Sequence, residues 1–239
     1  MEKSETSKGS GTTSAFEPPV PGYVDWVVAV IIALGGLALT IGGSVLMFVI
    51  DRSLLEEGIE SGQITVGFVE RDLTEAEMLD FVVAIVDWTG IGLLLTGIVL
   101  VLFAIGYGIV RNRTHARTED GDSAGSFRSY AVTGAATSAV LSFIPFSPIV
   151  GSGLAGYLGH QDTGHSTSVG AFSGFLYILP GLSILLFLTI GLFVGLSDIG
   201  ETGLGFVVFA VMLLVMLIVA AYGAGIGALG GFIGGRLAE

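Results

Sequence analysis

AVTGAATSAVLSFIPFSPIVGSGLAGYL, residues 131–158, is the stretch whose path decides the fold of this chain. It is apolar and rich in small residues, yet Ile144-Pro145-Phe146-Ser147-Pro148 interrupts it close to its centre. Two prolines three positions apart remove backbone donors and bar a continuous helix. Two paths remain. The segment is either a single kinked crossing of a bilayer or a re-entrant hairpin. In the hairpin, each arm climbs about 15–20 Å, at about 1.5 Å per residue, and returns.

On either side of this break lie four long apolar stretches. The first runs from about Val24 to Ile50, the second ends near Val110, and the others cover about Val169 to Leu196 and Leu204 to Gly235. Each exceeds the roughly 20 residues needed to cross a membrane as a helix. Hydrophobic residues make up 52% of the 239 and charged residues only 13%, which excludes a large soluble core. Away from their ends the stretches carry no Asp, Glu, Lys, Arg or His, the residues that mark pumps, proton relays and intramembrane enzymes. The absence of cysteine excludes disulfides, thiolate metal sites and cysteine nucleophiles. Acids outnumber bases 21 to 9, and the only lysines are Lys3 and Lys8. An anionic exterior argues against nucleic acid as a partner. It suits very high salt, where screening removes the self-repulsion, although ordinary acidic loops give the same count.

Charge placement sets the expected topology. Residues 1–22 form a polar Ser, Gly, Thr and Pro tail, expected to be disordered, with none of the features of a cleavable signal peptide. Tyr23 and Trp26 anchor the first span at an interface. The segment 51–80 is wet and acidic, and Ile64 to Val69 carry a short-strand pattern. Thr74 with Glu77 is a capping box that predicts a helix running through Phe81 and Trp88 into the second span. Arg111, Arg113, Arg117 and Arg128 come next, which makes their loop cytoplasmic, the acidic loop external and the N-terminus cytoplasmic. A returning 131–158 segment puts Asp198 and Glu201 outside and Arg236 inside, in keeping with the positive-inside rule; a crossing segment reverses both.

The expected architecture is therefore an all-α integral membrane bundle: four spanning helices plus a proline-broken re-entrant helical hairpin, with five spanning helices as the alternative. Its parts are the tail 1–22, a two-span pair 23–111 with its extracytoplasmic acidic loop, a cytoplasmic linker 112–130 and a Gly-rich membrane domain 131–235.

Small residues at four-residue spacing form the densest pattern. Gly223, Gly227, Gly231 and Gly235 make one ladder; Gly134, Ser138 and Ser142 make another, and Gly151, Ala155 and Gly159 a third. Such faces let helix backbones approach closely, within one chain or between chains. Pro145, Pro148 and Pro180 are the expected helix breaks.

Ala131-Val132-Thr133-Gly134, then Leu141-Ser142-Phe143-Ile144-Pro145-Phe146-Ser147-Pro148 and Gly156-Tyr157-Leu158, followed by a Gly-rich stretch with Leu179-Pro180, resemble a haloarchaeal family of small membrane proteins known only as a domain of unknown function. The resemblance covers about residues 128–235 and implies a halophilic archaeal membrane. It brings no activity, cofactor or catalytic residue with it.

Other chemistry is thin. His160, Asp162 and His165 share the stretch 159–168, but a Gly, Thr and Ser-rich loop does not preorganise a metal site. Val-Asp-Trp recurs at Asp25-Trp26 and Asp87-Trp88, an echo of an inverted repeat whose companion motif is offset differently. No serine or threonine has a companion base in the sequence, so no catalytic, metal or cofactor residues are assigned. The expected role is a noncatalytic structural or accessory membrane component whose partners are lipid and a second copy or other membrane proteins. A passive channel or small-solute permease using the broken helices at mid-membrane is the alternative.

Overall fold

The computed structural model describes residues 22–67, 73–118, 127–140, 147–163 and 165–239. The tail 1–21, Ser142 and Pro145 lie outside them. The regular structure among the described residues is helical, in seven elements: α1 (Gly22–Phe48), α2 (Arg52–Glu60), α3 (Glu75–Thr118), α4 (Phe127–Val140), α5 (Ser147–Thr163), α6 (Ser166–Asp198) and α7 (Thr202–Leu237). Four of them, α1, α3, α6 and α7, are long and apolar enough to cross a bilayer.

Burial is inverted relative to a protein folded in water. The largest side chains with essentially no exposure are Val169, Thr189, Ser138, Ser152 and Ser173. Leu217, Phe206 and Trp26 are 66%, 63% and 70% exposed, alongside most of the other large apolar side chains of α1 and α7. Water would penalise so much contiguous apolar surface, whereas lipid would not. Small residues face the neighbouring helices because no hydrophobic effect drives helices together in lipid, and close contact must do so.

The helix starts obey local chemistry. The backbone N–H of Thr74 donates to the Glu77 carboxylate at 3.0 Å, and the Glu77 N–H donates to the Thr74 hydroxyl at 3.3 Å, so α3 begins as the capping box predicts. Asp51 caps α2, which seats Leu55 and Ile59 on Leu79. The sequence reading had no helix there, although a capping Asp followed by apolar residues four apart was available as a signal. Residues 64–67 are irregular rather than a strand, and 68 and 69 fall outside the described residues. The expected linker 112–130 is shortened from both sides, because α3 runs on to Thr118 and α4 starts at Phe127.

The prolines behave differently from one another. Pro148 sits in the first turn of α5, where its missing N–H has no helical partner to lose. Pro180 lies inside α6, which continues unbroken from Ser166 to Asp198, so its assignment as a helix break is corrected. Neighbouring helices that pack on both flanks of a membrane helix sustain it across the one lost hydrogen bond.

The long helices stand in a row. Among the described residues α1 packs on α3, α3 on α6 and α6 on α7, with no contact between α1 and α6 or between α3 and α7. Consecutive members of the row are antiparallel. Gly43 meets Gly90 and Gly36 meets Gly97; Gly195 meets Phe81 and Gly92 meets Phe187; Gly174 meets Gly223 and Gly231 meets Ser166. The α4 and α5 helices form a partial second layer on α6, with α4 also touching α1 and α5 touching α7. Gly134 faces Gly151 and Ala155, and Ser138 faces Gly151, so α4 and α5 are antiparallel to each other. Pairing of Ile149 with Gly230 and of Tyr157 with Gly234 makes α5 parallel to α7. The end of α3, the end of α5, the start of α6 and the end of α7 therefore share one end of the bundle. The opposite end gathers Leu73, Phe81, Leu196 and Ile199. That end also holds Arg52, whose guanidinium is 2.7 Å from Asp80.

Candidate functional site

The most specialised part of the molecule is the junction of α4, α5, α6 and α7, and it is built on the C-terminal half of α7. Gly223, Gly227, Gly231 and Gly235 point at α6. A Cβ added to Gly227 would stand 2.9 Å from the Cα of Gly174, and one added to Gly231 would stand 2.8 Å from the Cα of Gly170. Gly235 meets the side chain of Ser166. A second ladder that the sequence reading missed, Gly230 with Gly234, points at α5: a Cβ on Gly230 would lie 2.6 Å from the Ile149 carbonyl oxygen, and one on Gly234 would lie 2.9 Å from the Tyr157 nitrogen. Two glycine faces let α7 lie backbone to backbone against two helices at once. Its N-terminal half, with glycine at 203 and 205 alone, packs on α6 and leaves Phe206, Val207, Leu214, Leu217 and Ile218 exposed.

The same device closes the second layer. Gly134 of α4 has the Ala155 Cβ, the Ser173 Oγ and the Gly151 carbonyl oxygen within 2.5 to 2.6 Å of where its own Cβ would be. The Ser138 hydroxyl donates to the Gly134 carbonyl at 3.0 Å, and that of Ser152 donates to the carbonyl of Pro148. Ser173 Oγ is buried against Gly134 with no hydrogen-bond partner. A hydroxyl pressed on a glycine Cα makes a weak Cα–H contact of the kind that recurs at close helix crossings.

Hydroxyl chemistry elsewhere in the bundle is similarly self-contained. Thr40, Thr137, Thr189 and Ser197 each donate to the carbonyl four residues back, at 2.7 to 2.9 Å. Between helices, Thr96 donates to Ser183 across the α3–α6 contact at 3.0 Å. In each of these bonds the hydroxyl's partner is a backbone carbonyl or another hydroxyl.

The charged candidates sit at the two ends. His160 is in the last turn of α5 and His165 is at the start of α6, so much of the expected flexible loop is helical, the end of α5 and the start of α6. Among the described residues no three His, Cys, Asp or Glu are placed to hold a metal ion. Arg236 lies over the Phe232 ring, 4.9 Å from its centre. Asp87 is exposed, one turn before the Gly90 that packs beside Leu46 and Met47 near the end of α1. The Asp51 carboxyl is held below its ordinary value of 3.8 by hydrogen bonds from the Leu54 N–H and the Ser53 hydroxyl.

Four long apolar helices with their bulk turned outward and their glycines turned inward define an all-α bundle of the membrane-protein class. Residues 128–237, from the first turn of α4 to the last residue of α7, match the model of a family of unknown function, DUF5518. No curated protein and no solved structure matches the chain. The matched part is the four-helix junction; α1 to α3 lie outside it.

Proposed function

We propose that the protein is a noncatalytic structural or accessory component of the cell membrane, with a cytoplasmic N-terminus, external acidic segments and α4–α5 entering the bilayer as a half-depth hairpin. The observation that carries this function is the use of the glycine faces. They hold α4 to α7 to one another by backbone contact, and the core they enclose is Ser, Ala, Gly and Val169, with no buried acid or base among the described residues. The placement is supported by charge: Asp51, Asp80, Asp198 and Glu201 belong to one end of the bundle, whereas Arg236 and the arginines beyond Ile109 belong to the other. At about 1.5 Å per residue, the 14 residues of α4 fall short of a span and the 17 of α5 only reach its lower limit. The preponderance of acids over bases, with the family resemblance, supports a high-salt, haloarchaeal membrane.

Because the chain has no cysteine, single-cysteine variants report without background. His160→Cys is expected to react with an impermeant maleimide only from the cytoplasmic side, and Asp198→Cys only from outside; the reverse pattern would overturn the placement. Proteoliposomes holding the protein are expected to pass small solutes and ions no faster than empty vesicles. Flux that falls when Pro145 and Pro148 become Ala would favour a channel or permease instead.

A further inference from the structure

The α6 helix belongs to two packed bodies, and Pro180 stands between them. Its first half locks into the junction: Gly170 and Gly174 meet Gly231, Gly227 and Gly223 of α7, and Ser173 meets Gly134 of α4. Its second half locks onto α3, where Gly191 meets Ala84 and Trp88, Gly195 meets Phe81, and Phe187 meets Gly92. Pro180 has no N–H to give the Leu176 carbonyl, so the helix crosses this level with one hydrogen bond fewer. Gly181 follows, and a Cβ there would touch nothing within 4 Å.

The room for a bend lies on the side where the chemistry requires it. A proline ring crowds the carbonyl one turn before it, and a helix relieves that clash by opening on the proline's face and closing on the opposite one. Ile178 and Leu182, each two residues from Pro180, are about 200° round the helix from it. With Gly181 and Leu185 of the same helix and Val219 of α7, they line an open pocket of about 440 Å³. On the proline's own face, Ser173, Pro180 and Phe187 stand two turns apart along one stripe, the first against α4 and the last against α3. Opening this face draws α4 away from α3. The seam that parts is made of side chains: Val132 and Ala136 of α4 pack on Val28 and Ile32 of α1 and on Ala104 and Tyr107 of α3. Along α7, the second half of α6 sets the Phe193 ring against those of Phe206 and Phe209, a contact that can slide.

Length supplies the load. At about 1.5 Å per residue the 33 residues of α6 measure about 50 Å, against a hydrocarbon core of about 30 Å. A span too long for its bilayer tilts or kinks. We propose that Pro180 and Gly181 form a hinge that couples the seam between α4 and the α1–α3 pair to bilayer thickness. In a thin bilayer α6 bends into the pocket and the seam parts; in a thick one α6 straightens and the seam closes. The hinge presupposes the membrane placement proposed above, but not the noncatalytic role.

The test uses the full chain with pairs of spin-labelled cysteines, in nanodiscs of dimyristoyl or dierucoyl phosphatidylcholine, and reads the distance within each pair by pulsed electron spin resonance. Val27→Cys with Ser168→Cys, both at exposed positions, spans the hinge; Val45→Cys with Asp198→Cys, also exposed, lies wholly on its α1–α3 side. At about 1.5 Å per residue Ser168 is about 18 Å from Pro180, so a bend of about 20° moves it about 6 Å. The first pair is expected to lengthen by up to about 6 Å in the thinner, dimyristoyl discs, and the second to stay fixed. Pro180→Ala, which restores the hydrogen bond, and Gly181→Leu, which fills the pocket from an open position, should each hold the first pair at one distance while the protein stays helical and monodisperse. An unchanged first pair in the wild type, an equal change in either variant, or a shift of both pairs together overturns the hinge. A chain that is native and monomeric without detergent overturns the membrane placement itself and is recognised before any disc is formed.

Discussion

Two helix pairs use similar small residues at the end of the bundle where α7 finishes and pack differently. Where α6 meets α7, Gly170, Gly174, Gly227 and Gly231 interlock with backbones in contact. Where α1 meets α3, Ala29, Ala33, Ala104 and Gly108 line an open trench. A small residue permits close approach without causing it. At α6–α7, glycines on both helices fall in register along a single line, and α5 packs from the side onto a second line of glycines. At α1–α3, glycines meet as far as Gly36 and Gly97, after which larger side chains make the contact, with Tyr107 buried among Val28, Ile32 and Ala104. Backbone-to-backbone contact in lipid therefore depends on matched small faces on both helices.

The sharpest way to break this comparison is at Gly227. A leucine there meets backbone of α6 on two sides, which cannot swing away as a side chain could. Gly227→Leu is expected to cost about 3 kcal/mol or more and to yield protein that aggregates on detergent extraction. Gly225→Leu, half a turn away with nothing within 4 Å, should be extracted like wild type. A tolerated Gly227→Leu would mean that the ladder is not a packing face.

Gly97 tests the other pair. Its Cβ would lie 2.5 Å from the Thr40 nitrogen and from the Gly36 carbonyl oxygen, so Gly97→Leu is expected to cost about 2–3 kcal/mol by thermal unfolding. Gly35→Leu, next in sequence to Gly36 but facing open space, should change stability by less than about 0.5 kcal/mol. Equal losses in the two variants would show that α1 packs on both faces.

A smaller effect is expected at the α3–α6 contact that joins the two regions. Thr96→Val removes the hydroxyl that bonds Ser183 while keeping its shape, and should cost about 0.6 kcal/mol, the average for a hydrogen bond between membrane helices. A loss of several kcal/mol would make this bond, rather than the glycine and phenylalanine contacts around it, the principal link between the regions.

The smallest effect concerns α2. Because the Asp51 carboxyl is held below 3.8, its ionised form favours the fold above that pH, and the contribution is lost as pH falls through the lowered value. Amides 52–60 are expected to exchange faster with solvent in acid, while those of α6 and α7 remain unchanged. Asp51→Asn, which still caps the helix, should abolish the pH dependence. Acid-induced exchange that spreads into the spans would mean that the acidic end, and not this cap, carries the effect.

The helix boundaries were largely legible because hydrophobic length and capping are local. Three of the four long helices, α1, α6 and α7, fall within three residues of the expected limits, and Thr74 with Glu77 opens α3, which runs past Val110 to Thr118. The short α2 went unread because its cap and its two apolar contacts are modest signals inside a strongly acidic segment. Pro180 misled because proline is a helix breaker in water, whereas inside a packed membrane bundle the helix persists around it. At the junction the ladder from Gly223 to Gly235 stood out in the sequence, but Gly230 and Gly234 became visible as a second face only once α5 was seen against them.

Composition and spacing alone determined the medium and the elements: a run of some twenty apolar residues has no stable home but lipid, and in lipid the backbone must close its hydrogen bonds as a helix. Only the tertiary structure decided which glycines meet, that the ladder is spent on α6 within the same chain, and that Ala29, Ala33, Ala104 and Gly108 line an open trench beside the α1–α3 contact. The rotation of each helix about its axis is set by all its neighbours together, and no single stretch of sequence holds that information.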